Sequence, residues 1–234
     1  GVMKVLVLGA NGQLGKALKK ESFNYHYKIL FFGKDKLDIT DFSDVSKKIR
    51  KIKPEIIINC AAYTDVNKSE YENQTANLIN NISVGNLAAI CKKNKIKLIH
   101  ISTDYVFDGQ KSEPYKESDI VNPLNYYGLT KVKGEKQITD LNLKNSIIIR
   151  TSWLYSDTDN NFVSKILKKI YKNEDLCIVA EEYGSPTNAD DLAKFILYIL
   201  PVIENNTTQT FHYCNDGICS RKEFVQEILN NLKP

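Results

Sequence analysis

The chain has 234 residues, 42% of them hydrophobic, and a formal net charge of +4. That length fits one domain of α/β size or a large domain with a small appendage, and the apolar fraction suffices for a sizeable core. The mild positive charge lacks the clustered basic face of a nucleic-acid binder, and no apolar run reaches the ~18 residues of a membrane span. Five cysteines, Cys60, Cys91, Cys177, Cys214 and Cys219, form no CxxC pair and read as reduced thiols of a cytoplasmic protein. The N-terminus carries no signal-peptide pattern, and Gly1-Val2 ahead of Met3 reads as an appended remnant.

Residues 3–8 form a short apolar run that predicts a first strand. It empties into Gly9-Ala10-Asn11-Gly12-Gln13-Leu14-Gly15, and an amphipathic stretch over 16–21 predicts a helix directly after. Strand, glycine turn and helix in this order is where a dinucleotide pyrophosphate can sit. Gly9 allows the sharp turn, Gly12 lets backbone N–H groups approach the phosphates, and Gly15 allows the helix to pack close to the strand. The candidate cofactor contacts here are Gly9, Asn11, Gly12, Gln13, Leu14 and Gly15.

A second strand is predicted over 27–32. Lys34 and Lys36 just past it suit the 2′-phosphate of NADPH, while Asp35 between them would suit the free hydroxyl of NADH. Lys34 is the assigned contact, with Asp38 and Ile39 further along the same turn. Thr40 or Asp41 caps a helix running to Lys53, and Pro54 ends it. A third strand over 55–60 is followed by Ala61, Ala62 and Tyr63, small residues first, which leave room for a cofactor to cross the sheet's carboxyl end.

A long helix is predicted over 73–93. Leu78, Ile79, Ile82, Leu87, Ala88 and Cys91, at spacings of three and four, should form its buried face. The fourth strand covers 97–101, and a polar cluster beginning Ser102-Thr103-Asp104-Tyr105 lies past its end. A helix over 123–138 carries Tyr127 and Lys131, and a fifth strand covers 146–150. This alternation predicts a Rossmann-type, doubly wound parallel α/β sheet in residues 1–150. Beyond it, helices over 161–172, 188–200 and 221–232 and a short strand over 177–179 predict a small cap, residues 151–234, partly interleaved with the sheet.

Tyr127 and Lys131 are four apart on one helix, so they share a face. An ammonium near a phenol lowers its pKa from about 10, which makes Tyr127 a usable proton donor near neutral pH. Thr103, or else Ser102, can hold the substrate oxygen against Tyr127.

The glycine turn, Asn59-Cys60-Ala61-Ala62, the Ser102–Phe107 run and the Tyr127/Lys131 pair together resemble the extended short-chain dehydrogenase/reductases. More closely, Ala61-Ala62-Tyr63-Thr64-Asp65-Val66, Ser102-Thr103-Asp104-Tyr105-Val106-Phe107, Arg150-Thr151-Ser152-Trp153 and Gly184-Ser185-Pro186-Thr187 are similar to the dTDP-4-dehydrorhamnose reductase family. The resemblance implies reduction of the C4 keto group of dTDP-4-dehydro-L-rhamnose by NADPH. It implies Tyr127 as proton donor, Lys131 as its pKa tuner and ribose anchor, Thr103 as carbonyl positioner and Asn80 near the cofactor. It places Thr103, Asp104, Tyr105, Trp153, Asn161 and Phe162 against the nucleotide-sugar substrate.

Two departures bear on these expectations. Family members continue past the helix that ends near Leu232, so the cap is expected to be shortened. Some members bind Mg²⁺ at a dimer interface through a glutamate just past the glycine turn, where this chain has Lys16-Ala17-Leu18. No metal is therefore expected, and the protein should be a monomer or weak homodimer. Two other readings stay open: a reductase of another 4-keto-6-deoxy nucleotide sugar, and a non-catalytic NADP-binding regulatory subunit of the same fold. Binding alone needs no proton donor, so the intact Thr103, Tyr127 and Lys131 set speaks against the second.

Overall fold

The computed structural model describes residues 1–103, 121, 123–151, 154–155, 187–203, 208–214 and 217–219. β1 (Lys4–Leu8) is a Val-Leu-Val-Leu run buried on both faces, so it requires helices above and below it. It pairs in parallel with β2 (Lys28–Phe32) on one side and β3 (Ile56–Asn59) on the other. β4 (Lys97–Thr103) and β5 (Ile147–Thr151) follow in parallel. A separate parallel pair joins β6 (Leu154–Tyr155) to β7 (Thr187–Asn188). β8 (Gln209–Cys214) adds to β5 in parallel, and β9 (Gly217–Cys219) closes that edge antiparallel. The order across the main sheet is β2-β1-β3-β4-β5-β8-β9.

Alternation along the strands divides the core in two. Val5, Val7, Ile56 and Ile99 face α1 (Gln13–Glu21), whose Leu14 and Leu18 meet them. Leu6, Leu8, Ile57 and Leu98 face the other way, toward α2 (Phe42–Ile52). After the short α3 (Val66–Ser69), that second face is covered by α4 (Asn73–Asn77), a π-helical turn (Leu78–Ile82), α5 (Ser83–Asn94) and α6 (Tyr126–Asp140). α7 (Ala189–Ile199) packs beside α1 on the first face. Lys20 Nζ pairs with the buried Asp190 at 3.1 Å, and the Tyr27 hydroxyl donates to the Leu197 carbonyl at 2.9 Å. Among the described residues no helix is long and apolar enough to cross a membrane.

The structure departs from the sequence expectations in four places. β4 continues through Ser102 and Thr103, because both pair with β5 opposite Arg150 and Thr151. β8, not foreseen as a strand, belongs to the parallel sheet. α6 starts at Tyr126 instead of 123, where Asn125 Oδ1 accepts from the Gly128 N–H at 2.7 Å. The long helix is interrupted by the π turn, whose extra residue rotates the face that follows. Ile82, expected inside, is 43% exposed, and Asn80 and Ser83 are buried in the layer it was to fill. The helices expected over 161–172 and 221–232 and the strand over 177–179 lie outside the described residues.

The π turn packs backbone-close on α6. A Cβ added at Gly134 would overlap the Asn80 carbonyl oxygen and lie 3.3 Å from the Asn80 carbonyl carbon. Neither helix backbone can yield cheaply, so Gly134→Ala should destabilise the fold by about 1–3 kcal/mol, the usual penalty of overpacking. Urea unfolding checks this: a midpoint unchanged from the parent would mean that α6 and the π turn are not held at this distance.

Candidate functional site

Strand order reverses at β1, with β2 on one side and β3 on the other, and ligands of open α/β sheets sit in the crevice at such a point. The glycine turn leaves β1 there. Gly9 has φ +68°, and a Cβ on it would lie 2.5 Å from the Cys60 carbonyl carbon and overlap the Ala61 nitrogen. The turns after β1 and β3 therefore meet backbone to backbone. Gly15 is equally constrained, since its Cβ would lie 2.5 Å from Ala10.

Gly12 is different. Its φ of −78° suits any residue, and a Cβ would have only the Gly9 carbonyl oxygen near it, at 3.6 Å. Among the described residues, no packing asks for a glycine there. Its bareness leaves space in front of α1, where Gly12 supplies no capping side chain and the first turn holds no acid. The positive end of that helix is fitted to an anionic group such as a pyrophosphate. Asn11 and Gln13 are exposed beside it, while the Leu14 side chain is buried in the core and leaves its backbone for a ligand.

The turn after β2 touches this one: a Cβ on Gly33 would overlap the Asn11 amide. Lys34 is exposed. Lys36 stands 5.9 Å from the centre of the Phe32 ring and its carbonyl accepts from Lys48. Asp38 Oδ1 accepts from the Thr40 N–H at 2.9 Å and hydroxyl at 2.7 Å, which holds its carboxyl below the usual range, with a smaller effect from Lys34. Ile39 is buried in the core against the second face.

On the β3 side, Ala61, Ala62 and Tyr63 are half-buried. Asn80 fastens this segment. Its Oδ1 accepts from the Tyr63 N–H at 2.8 Å, and its Nδ2 donates to the Tyr63 carbonyl at 3.0 Å and to Thr130 Oγ1 at 3.1 Å. At 1% exposure the Asn80 amide stands behind the Tyr63 backbone, holding it to α6.

Thr103 ends β4, and Tyr127 and Lys131 lie together on the buried face of α6, at 8% and 2% exposure. Lys131 Nζ donates to the Ile101 carbonyl of β4 at 2.8 Å, which fixes α6 to the strand that carries Thr103. Burial lowers the Lys131 ammonium to about 8, with Glu135 and then Cys60 acting in the opposite direction. Ser102, the alternative carbonyl positioner, turns to the α6 side and donates to Glu135 Oε2 at 2.5 Å. Arg150 completes this buried group, its Nη2 2.7 Å from Glu135 Oε1 and its Nε 3.1 Å from Oε2. Sequence reasoning missed Glu135, although its place four residues past Lys131 puts it on the same helix face. Asp104, Tyr105, Trp153, Asn161 and Phe162 lie outside the described residues. Among the described residues no three His, Cys, Asp or Glu side chains are grouped to hold a metal.

Residues 3–234 match the family described as RmlD substrate binding domain. The chain is 38% identical over 231 residues to a dTDP-4-dehydrorhamnose reductase of Aggregatibacter actinomycetemcomitans, covering 97% of this chain and 78% of that protein. It is 35% identical over 212 residues to a dTDP-4-keto-6-deoxy-D-glucose reductase of Streptomyces niveus, covering 91% of this chain and 73% of that protein. A crystal structure of the Bacillus anthracis dTDP-4-dehydrorhamnose reductase in complex with NADP superposes with a TM-score of 0.75 at 40% identity, over 99% of this chain and 81% of that one. A match this long, on a fold with this glycine turn and this tyrosine–lysine pair, means that the chain belongs to the dTDP-4-dehydrorhamnose reductase family.

Proposed function

We infer that the chain catalyses NADPH-dependent reduction of the C4 keto group of dTDP-4-dehydro-L-rhamnose, giving dTDP-L-rhamnose. One observation carries the reading. Tyr127 and Lys131 share a buried helix face fixed to β4 toward its carboxyl end, and on the same edge of the sheet Gly12 is bare for no reason of packing among the described residues. The family relationship names the substrate and cofactor.

The N-terminus of α1 and the Gly9, Asn11, Gly12, Gln13, Leu14, Gly15 turn would hold the pyrophosphate. Lys34 would meet the 2′-phosphate, Asp38 and Ile39 would border the adenosine, and Ala61, Ala62 and Tyr63 would line the crossing. NADPH, when bound, supplies the hydride that reaches C4. The chain's own residues handle the proton. Tyr127 gives its hydroxyl proton to the C4 oxygen while the Thr103 hydroxyl holds that oxygen in place. Lys131, charged nearby, stabilises the phenolate left behind and serves as a second anchor for the ribose. Asp104, Tyr105, Trp153, Asn161 and Phe162 are the proposed nucleotide-sugar contacts, by resemblance to the family.

A second reading differs only in the sugar. The Streptomyces niveus relative is named for dTDP-4-keto-6-deoxy-D-glucose, so another 4-keto-6-deoxy sugar on the same nucleotide is the natural competitor. We further infer a monomer or weak homodimer without a metal. Cys60 and Cys91 are free thiols, both raised by burial, Cys60 to about 12; thiols left unbridged suit a reducing compartment such as the cytoplasm.

Tyr127→Phe should fold, bind NADPH as the parent does and lose roughly 100- to 10,000-fold in kcat, since only the proton donor is gone. Steady-state NADPH oxidation with dTDP-4-dehydrorhamnose reads this, and turnover within a few-fold of the parent would remove Tyr127 from the chemistry. The same assay with the 4-keto-6-deoxy-glucose nucleotide separates the two sugar readings.

Gly12→Val clashes with nothing among the described residues, so its circular dichroism should be unchanged while NADPH binding weakens on the order of tenfold or more. Undiminished affinity in the folded variant would assign the turn to structure alone.

Lys34→Ala should raise the KM for NADPH several-fold and leave that for NADH unaltered. A charge-assisted phosphate contact contributes on the order of 1.5–3 kcal/mol before salt screening reduces it at an exposed site. Equal effects on both cofactors would mean that the 2′-phosphate is read elsewhere.

A further inference from the structure

Beneath the reacting edge, the α6 side of the sheet holds a polar layer where an aliphatic one would be expected. Asn59 of β3, His100 and Ser102 of β4, Arg150 of β5 and Lys131 and Glu135 of α6 are each at most 6% exposed. The electrostatics of this layer centre on Lys131. An ammonium buried this deeply is driven toward its neutral form unless an anion faces it. Four elements present titratable or charged groups to it: the segment after β3 gives Cys60, β4 gives His100, β5 gives Arg150, and α6 itself gives Tyr127 and Glu135.

Two of these are neutral on structural grounds. Burial pushes the Cys60 thiol up to about 12. His100 is fixed by a chain of hydrogen bonds. The Ala61 N–H donates to Asn59 Oδ1 at 3.2 Å, so Asn59 turns its Nδ2 to His100 Nδ1, 3.2 Å away, and that nitrogen must accept. The proton of His100 is then on Nε2, and burial together with Lys131 keeps the ring uncharged. Arg150 is a cation, with its guanidinium engaged on Glu135. Glu135 is thus the one carboxylate among the described residues of this layer. It makes no close pair with Lys131, whose Nζ is directed to the Ile101 carbonyl, and acts on it through a low-dielectric interior from one helical turn away.

We propose that Glu135, held in place by Ser102 and Arg150, is the positioning residue that keeps Lys131 charged and so sets the pH above which the reduction stops. The second half rests on the reductase reading; the first does not. The sign follows from the charges: without the carboxylate, Lys131 loses its proton at lower pH, and Tyr127 loses the charge that stabilises its phenolate.

The experiment is a ¹³C NMR titration of the Lys131 side chain in the full chain without substrate, with the resonance assigned by its loss in Lys131→Arg. In Glu135→Gln the midpoint should fall by on the order of one pH unit, as expected for loss of a nearby opposite charge. The basic limb of kcat against pH should move the same way. A folded Glu135→Gln protein with an unmoved Lys131 midpoint overturns the proposal, even if its melting temperature and kcat fall uniformly, because a purely structural residue would do that. Should loss of the buried Glu135–Arg150 ion pair prevent folding, Glu135→Asp carries the test. It keeps the charge but draws it back by one methylene, so the midpoint should fall by less; no movement again overturns the idea. If the midpoint moves but the parent protein does not turn over the keto sugar, the reductase reading fails and the role of Glu135 stands.

Discussion

An ammonium group that leaves water has to be compensated where it lands, and Lys131 lands between β4 and α6 at 2% exposure. Much of the surrounding arrangement follows from that. The Ile101 carbonyl, toward the carboxyl end of β4, is a hydrogen-bond acceptor that an inner helix can reach, and the Lys131 ammonium donates one hydrogen bond to it. Glu135 supplies the opposing charge, and its own burial is made tolerable by Arg150 and Ser102. Folded Lys131 holds its proton less tightly than the unfolded chain does, at about 8 against 10.5. Its burial therefore costs stability at neutral pH, and that cost fades as the pH rises through this window. A group kept at such a cost, beside Tyr127 and away from the aliphatic core, marks the place as a site.

Backbone proximity ties the two halves of the site together. Gly9 brings the turn after β1 against Ala61, Asn80 fastens the Tyr63 backbone that follows, and Thr130 connects Asn80 to α6. Gly134 lets α6 come close to the Asn80 carbonyl. The turns after β1 and β3 and the helix α6 are therefore joined through one π turn, and the placement of Tyr127 depends on contacts that begin at Gly9. The α6 N-terminus is fixed as well, since the Tyr126 N–H donates to Glu70 Oε1 at 2.9 Å.

How legible the site was depended on whether its signal is local. A run such as Val5-Leu6-Val7-Leu8 ahead of a glycine turn reads directly, because a short apolar segment with that exit has few other uses. Tyr127 and Lys131 read directly for a similar reason: a spacing of four sets a shared helix face before any tertiary contact exists. Ser102 and Thr103 misled because polar residues at a strand end look like a loop until the pairing with Arg150 and Thr151 is known. Gln209–Cys214 misled because its polar members give no aliphatic run. The π turn was hidden because a periodicity search assumes a constant turn, and one extra residue sends Ile82 outward and brings Asn80 in.

What the sequence determined by itself was the chemistry available and the order in which the elements present it: a glycine turn before a helix, a tyrosine one turn from a lysine, a threonine at the end of the fourth strand. These are properties of neighbours along the chain, and backbone geometry converts their spacing into direction. The tertiary structure alone decided which of those groups carry charge and which are already occupied. Ser102 is occupied because alternation along β4 turns it to Glu135, and Asn80 stands behind the Tyr63 backbone because the π turn rotates it there. Glu135 gains its meaning only from the burial it shares with Lys131 and Arg150, contributed by a helix and a strand. Solvent exclusion is a property of the assembled layers, and no spacing along the chain contains it.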